Sequence, residues 1–209
     1  PEDPATVKRG ENIYLFILKA NFKEQLDGWE IEIRRLNRKE MYFFSLHNRM
    51  ITGYLRSLII TMIFFMIGGL IGMFCFLLCA ILAKSFLEAI NYVEHYGLVR
   101  ERGKPVSMRH SWNSNHFLSS LYLFNVTRHS DHHRAPNLKF WELDPFYESA
   151  PILPYGYLGM LYLILILPPL YHRIMAKKLI DWDLNYASEQ ERKLANVQIR
   201  NSGITYLYN

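Results

Sequence analysis

The sequence predicts an all-α, multi-pass membrane protein with a cytoplasmic, histidine-rich helical region. Two observations lead to this prediction: a stretch without a charged side chain from Ser57 to Ala83, and the histidine cluster RHSDHH at 128–133. A helix needs about 20 apolar residues to cross the hydrocarbon core of a bilayer, and the first stretch is longer than that. Half of the 209 residues are apolar, a composition typical of an ordered chain rather than a disordered one.

The net charge of +5 and the pI near 9.1 are compatible with binding either to nucleic acid or to an anionic membrane surface. Nucleic-acid binding would require a basic stripe with exposed aromatic residues, or a known binding motif, and the sequence has neither. The basic residues instead lie at the two edges of the apolar stretch, which favours a membrane protein and no nucleic-acid partner.

The positions of these basic residues predict that the apolar stretch is a hairpin. They are Arg34, Arg35, Arg38, Lys39, Arg49 and Arg56 before it, and Arg100, Arg102, Lys104 and Arg109 after it. A single long span, which is the alternative, would place one group outside the cell, against the tendency of basic loops to stay in the cytoplasm. A turn at Gly68–Gly69 would keep both groups inside.

We therefore expect a transmembrane hairpin at 44–96, preceded by a cytoplasmic helical segment at 1–43. A cytoplasmic histidine-rich metal-site region at 97–149 follows, then an apolar interfacial segment at 150–175 and a polar C-terminal tail at 176–209. Prolines at 151, 154, 168 and 169 leave only a short uninterrupted apolar run in the fourth segment. We interpret it as interfacial, with a third span as the alternative.

The RHSDHH cluster predicts a metal site. On a helix, His129, His132 and His133 stand at i, i+3 and i+4, so their rings project from one face toward a common centre. Neutral imidazole is a ligand suited to Zn, Cu, Fe or Ni, and the spacing alone does not choose among these metals. A polar surface patch is the alternative interpretation.

A second motif, NYVEHYGL at 91–98, follows the second arm of the predicted hairpin. A helix leaving the bilayer there would carry Glu94 and His95 to the cytoplasmic surface. The stretch HSWNSNH at 110–116 connects this motif to RHSDHH. We therefore predict that both motifs contribute to one site.

The motifs NYVEHYGL, RHSWNSNH and RHSDHH together resemble the integral-membrane alkane 1-monooxygenases, within the histidine-rich membrane diiron hydroxylases and desaturases. The resemblance extends from PEDPAT at the start to LPYGY and KKLIDWD, and so covers most of the chain. It implies iron ligation by four residues: His95, His129, His132 and His133. It also implies two non-haem iron ions in the complete protein, and no catalytic residues beyond the ligands.

Four further residues are expected around those ligands. Glu94 and Asp131 are predicted to orient the imidazoles through their free N–H groups, as carboxylates near metal sites commonly do, although both also fit simple solvated carboxylates. His110 and His116 are predicted to support the ligands rather than to bind iron.

Other members of the family also carry HExxH and HxxxHH boxes in a part that would precede Pro1, and this sequence has neither. We therefore expect a downstream portion that is inactive or metal-poor alone.

The resemblance implies a bacterial inner-membrane enzyme whose active site faces the cytoplasm. Such an enzyme converts the terminal methyl group of a medium- or long-chain alkane to a 1-alkanol with O2. The resemblance also implies that rubredoxin, reduced by rubredoxin reductase, delivers the electrons. An acidic partner of this kind could dock on basic residues that otherwise anchor the chain at lipid headgroups: Arg100, Arg102, Lys104, Arg109 and Arg134.

Two other functions remain open at the level of sequence. One is hydroxylation or desaturation of another apolar substrate, such as an alkyl-aromatic compound or a fatty acyl chain. The other is a non-catalytic membrane protein that binds a transition metal.

Overall fold

The computed structural model describes residues 7–146 and 149–203. All of the longer regular elements within these ranges are helices, which confirms the all-α prediction. They are α1 (Ile13–Arg38), α2 (Arg49–His95), α3 (Phe117–Tyr122), α4 (His129–Arg134), α5 (Tyr157–Ile166), α6 (Pro168–Asn185) and α7 (Glu189–Ser202), with 3-10 turns at Met108–His110 and Phe140–Glu142. The chain divides into two compact units, the hairpin unit (Ile17–Glu88) and the histidine unit, which comprises the other described residues.

The long helix α2 has 47 residues and is long and apolar enough to cross a membrane, the one such helix among the described residues. Its backbone breaks at Gly69, whose φ of 60° and ψ of −151° fall in a region that is essentially restricted to glycine. The Phe64 and Phe76 rings stack with centroids 4.6 Å apart. Twelve residues of continuous helix would separate them by about 18 Å, so the chain reverses at Gly69, where the sequence predicts the turn.

The two arms of this reversal approach each other closely. A Cβ atom on Gly72 would lie 2.5 Å from the backbone oxygen of Phe64, nearer than real contacts allow. The glycine therefore permits backbone-to-backbone contact between the arms, as small residues do in membrane helix pairs. The number of times the chain crosses a membrane remains a prediction.

Several charged residues of the hairpin unit are paired. Lys84 Nζ lies 2.6 Å from Glu24 Oε2 and also contacts the buried Glu88 carboxylate. The buried Glu32 of α1 accepts hydrogen bonds from Arg35 and from the backbone N–H of Arg49 at 2.6 Å. The second of these bonds satisfies a donor at the first residue of α2, where N–H groups lack a partner within the helix.

The core of the histidine unit is rich in aromatic side chains. Its largest fully buried members include Trp112, Trp182, Tyr92, Tyr96, Tyr157 and Tyr171. Helix α5 has ten residues, too few to cross a bilayer alone. Pro168 then begins α6, because proline suits the first turn of a helix and cannot continue the preceding one.

Two local features place the end of α2 within the histidine unit. Gly97 adopts a positive φ of 70° just after the helix, the left-handed conformation that commonly terminates helices, so His95 lies in the last turn. Arg9 is buried, donates to the Gly97 carbonyl at 3.0 Å and binds Asp183 bidentately at 2.7 and 2.6 Å. These bonds connect the early chain to α6 and to the end of α2.

The segment predicted as a polar tail is largely helical over its described residues, 176–203. Helix α6 continues to Asn185, and α7 begins with a capping box in which Ser188 and Glu191 each bind the other's backbone N–H. Gly203 ends α7 with a φ of 67°. The buried face of α7 consists of Glu191, Ala195 and Ile199.

Candidate metal centre

Three imidazole rings meet where the end of α2 faces α4. His95 is the last residue of α2, and His129 and His133 belong to α4. The nearest ring nitrogens of these three residues all lie within 4.8 Å of one another. The His95 Nε2 atom is 3.1 Å from His129 Nε2 and 3.5 Å from His133 Nε2. The structure thus brings together three of the four residues for which sequence predicts iron ligation.

His132 lies beside this group rather than in it. Its ring is 5.7 Å from the His129 ring and 6.2 Å from the His133 ring, centroid to centroid, and the side chain is exposed. Successive residues of a helix point about 100° apart, so His133 at i+4 stays nearer the direction of His129 than His132 at i+3 does.

Helix α4 has only six residues, a length that is unstable in isolation, and surrounding side chains hold it in place. Ser130 donates through its backbone N–H to Asn113 Oδ1 at 2.9 Å and through Oγ to the Met108 carbonyl at 2.8 Å. Asp131 is buried and accepts from Arg134 Nε and from the backbone N–H of Asp144, both at 2.7 Å. Asp131 therefore binds α4 to the segment around Asp144, and its predicted role of orienting an imidazole stays a prediction.

The ring of His95 is oriented by a backbone carbonyl. Its Nδ1 atom lies 3.2 Å from the carbonyl oxygen of His110. A carbonyl oxygen only accepts, so the His95 Nδ1 carries the hydrogen and the Nε2 lone pair faces the other two histidines. A bond from Nδ1–H to a backbone carbonyl is a common way to fix the tautomer of a metal-binding histidine.

Glu94 and His129 form the other contact around the cluster. Glu94 Oε1 lies 3.3 Å from His129 Nδ1, both residues are buried, and neither atom makes a hydrogen bond in the geometry present. This position suits the predicted orienting role of Glu94. Burial, together with the neighbouring imidazoles, lowers the pKa of His129 well below its usual value, so the ring is neutral, as a metal ligand must be.

The predicted supporting histidines occupy different positions. His110 presents its carbonyl to His95, while its side chain turns toward α7: Nδ1 accepts from the Ser107 backbone N–H at 3.0 Å and Nε2 donates to Glu191 Oε1 at 2.8 Å. Burial lowers the pKa of His110. His116 is exposed at the start of α3 and is not among the clustered residues.

Glu191 is the residue of this region that sequence reasoning missed. Its only signal is the Ser-x-x-Glu spacing of a helix start at 188–191, and that pattern does not indicate a contact with His110. Burial would raise the pKa of Glu191, but hydrogen bonds from Arg109 lower it overall.

The arrangement is compatible with a transition metal. Three imidazoles converge from two helices, the His110 carbonyl orients the His95 ring, and Glu94 lies beside His129; imidazole nitrogen is a suitable ligand for iron or zinc. Fold and site together define a helical protein with a helix long and apolar enough to cross a membrane and a histidine cluster able to hold a metal ion.

The chain belongs to the fatty acid desaturase family, whose sequence pattern matches residues 1–163. It is 38% identical over 195 residues to alkane 1-monooxygenase 1 of Pseudomonas aeruginosa, which covers 91% of this chain and 50% of that protein. It is 35% identical to the alkane 1-monooxygenase of Acinetobacter baylyi, over 94% of this chain and 50% of the relative.

A relative named for a different substrate matches comparably well. The hydroxylase component of the xylene/toluene monooxygenase of Pseudomonas putida is 33% identical over 97% of this chain and 54% of its own length. The chain thus spans about half the length of the curated relatives it matches. These comparisons confirm the resemblance identified from the motifs.

Proposed function

We propose that the complete protein is a membrane alkane 1-monooxygenase that uses iron to convert a terminal methyl group to a primary alcohol. The reaction combines R–CH3, O2, two electrons and two protons to give R–CH2OH and water. The observation that supports it most directly is the convergence of His95, His129 and His133 in a chain whose relatives are named alkane 1-monooxygenases.

In this proposal the three clustered imidazoles hold iron, and exposed His132 serves a second iron together with ligands from outside this chain. Bound iron supplies the redox chemistry that activates O2. The residues of this chain position the metal: the His110 carbonyl holds the His95 ring, and Glu94 lies beside His129. The buried aromatic side chains Trp112 and Tyr157 belong to the core of the same unit and exclude water from its interior.

We propose that the chain crosses the bacterial inner membrane twice, with the histidine unit on the cytoplasmic side. The exposed apolar surface of α2 supports a lipid environment, because water-exposed patches of this extent are rare in soluble monomers. The substrate has no polar group, so an apolar path from the lipid would select it by shape.

Rubredoxin, itself reduced by rubredoxin reductase, is the proposed electron donor. Among the five basic residues expected to form the docking site, Arg109 binds Glu191 and Arg134 binds Asp131. Arg100, Arg102 and Lys104 lie close together in the chain just after α2, and we propose these three as the docking group. Neutralising these three residues should slow reduction at low salt and flatten its salt dependence. An unchanged salt dependence would instead assign them to lipid anchoring.

The test of the function is iron content and product formation, compared between this chain and the chain extended to the length of its relatives. We expect about two irons per polypeptide and 1-alkanol from an n-alkane only in the extended form. Tight iron binding by this chain with no gain on extension would contradict the proposal.

A second candidate is hydroxylation of an alkyl-aromatic methyl group, which the similarity to the xylene/toluene monooxygenase component favours. Desaturation of a fatty acyl chain is the activity in the family's description. Competition between an n-alkane, a methylarene and a fatty acyl substrate, followed by product analysis, separates the three. Reversible metal binding without oxygen consumption by the extended chain would favour a non-catalytic protein.

A further inference from the structure

We propose that Glu191 of α7 is a positioning residue for the metal ligand His95, and that it acts through His110. This inference rests on the proposed metal-binding function. Three contacts in series carry it: Glu191 binds the side chain of His110, the backbone of His110 lies in a fixed turn, and the carbonyl of that turn meets His95 Nδ1.

The first contact is a buried carboxylate with a full set of partners. Glu191 is 1% exposed and accepts from Arg109 Nε at 3.1 Å, from Arg109 Nη2 at 3.2 Å and from His110 Nε2 at 2.8 Å. Burying a carboxylate is costly unless it is paired and hydrogen-bonded. A helix start can be capped from the surface, so capping alone does not account for a buried carboxylate that binds both an arginine and a histidine.

The second contact fixes the His110 ring through both of its nitrogens. The Ser107 backbone N–H donates to Nδ1 at 3.0 Å, so Nε2 carries the hydrogen and donates to Glu191. Residues 107 and 110 begin and end the 3-10 turn, and the bond between them closes it. The ring therefore transmits the position of α7 to the backbone of this turn.

The third contact places the turn against the metal ligands. On its other side, Ser130 of α4 donates to the Met108 carbonyl at 2.8 Å, and the His110 carbonyl stands 3.2 Å from His95 Nδ1. Without Glu191, nothing in this series holds the His110 ring on the α7 side. The carbonyl would then move, and His95 could place its hydrogen on Nε2, the nitrogen that the metal requires.

The first experiment reads the tautomer of His95 in the metal-free chain. Nitrogen-15 NMR on histidine-labelled protein in lipid nanodiscs distinguishes Nδ1–H from Nε2–H, with the His95 signal assigned by its loss in His95→Gln. We expect Nδ1–H in the wild type and in Glu189→Ala, whose side chain is 81% exposed on the first turn of the same helix. Glu191→Ala should show a substantial Nε2–H population. An unchanged tautomer in Glu191→Ala would overturn the inference.

The second experiment measures Co²⁺ affinity of the same variants from the visible absorption of the bound ion. Glu191→Ala should bind about tenfold more weakly, the lower end of the effect typical for residues behind a ligand. Glu191→Gln retains an acceptor for His110 and the size of the side chain, so it should recover much of the affinity. Glu189→Ala should match the wild type.

The two experiments separate the possible failures. A tautomer change in Glu191→Ala without Co²⁺ binding by any variant would reject the metal function and support the positioning role. Equal Co²⁺ affinity and equal tautomers in wild type and Glu191→Ala would reject the positioning role and leave the metal function intact. If Glu191→Ala loses its helical circular dichroism, the same comparison is made with Glu191→Met, which has a side chain of similar length but cannot accept from His110; unchanged tautomer and affinity in that variant would overturn the inference.

Discussion

The hairpin unit exposes most of its large apolar side chains, whereas the histidine unit buries a group of polar side chains around its histidine cluster. In the hairpin unit, large apolar residues such as Met66, Ile67 and Ile71 are exposed, whereas the histidine unit buries polar residues such as Asp131, His129 and Glu191. The first pattern is stable in lipid, where an exposed apolar surface has no cost. The second requires a partner for almost every buried polar atom. The stability of the hairpin unit therefore depends on its lipid surroundings, whereas that of the histidine unit depends on hydrogen bonds between its buried polar groups.

The strongest test of the histidine unit removes a clustered imidazole. His129→Ala should weaken Co²⁺ binding by more than about 100-fold, beyond the 10–100-fold typical of residues that only orient a ligand, because it deletes a nitrogen from a group of three. Equilibrium titration measures the loss. His116→Ala removes an exposed imidazole outside the group and should bind as the wild type does. Comparable losses in both variants would mean that the cluster is not the binding site.

Acidification should destabilise the histidine unit through its buried histidines. Burial lowers the pKa of His172 from 6.5 to about 4, and its Nδ1 accepts from Tyr96, which itself receives a hydrogen bond from the Gly10 backbone. His172 therefore binds a proton near pH 6.5 in the unfolded chain but only near pH 4 in the folded chain. Its contribution to the free energy of unfolding is fully present above pH 6.5 and falls by about 2 to 3 kcal/mol between these two pH values.

Denaturation of the chain in mild detergent at several pH values measures this slope. His172→Gln should flatten it in part, because the lowered pKa values of His129 and His110 also contribute. The control His116→Gln should leave the slope unchanged. An equally steep curve for His172→Gln would show that this histidine is not the source.

A substitution at the reversal of α2 tests the hairpin unit. Gly69→Ala should destabilise that unit by about 1–3 kcal/mol, because alanine does not adopt its backbone angles without strain. Gly68→Ala is the matched control, since a Cβ there meets nothing within 4 Å and its φ is unexceptional. Detergent-based unfolding compares the two variants. Equal stabilities would indicate that the arms hold their turn without help from Gly69.

The smallest effect should come from His132. His132→Ala should change the affinity for a first Co²⁺ by about threefold or less, because the ring is exposed and lies outside the group of three. In the extended chain, the same variant should lower the second-metal occupancy. A loss as large as that of His129→Ala would place all four predicted ligands around one ion.

Sequence reasoning was most successful where short-range geometry decides the outcome. The i, i+4 spacing of His129 and His133 directs both rings to one side of a helix, and the paired glycines indicate a turn at Gly68–Gly69. Those features depend on neighbours within one or two helical turns. The family motifs added His95, whose partner His129 lies 34 positions along the chain.

The same reasoning does not reach contacts whose partner is set by tertiary structure. Nothing near Asp131 in the sequence indicates that its second oxygen accepts from the backbone of Asp144. A backbone carbonyl such as that of His110 has no residue type that could identify it. Glu191 is 81 positions beyond His110, and a contact at that separation cannot be recognised from local spacing.

Because the chain is synthesised from its N-terminal side, the bond between Glu191 and His110 forms only some seconds after His110 has been added. A ribosome adds roughly 5–20 residues per second, so the 81 positions that separate these partners correspond to about 4 to 16 seconds. In the later part of that interval, after His133 has been added, all three clustered histidines have been synthesised but Glu191 has not. Imidazoles in this nascent chain are open to the wrong divalent cation or to oxidation. For the proposed metal function we therefore expect loading to follow the synthesis of α7, and a chain stalled before α7 should be the form most prone to mismetallation.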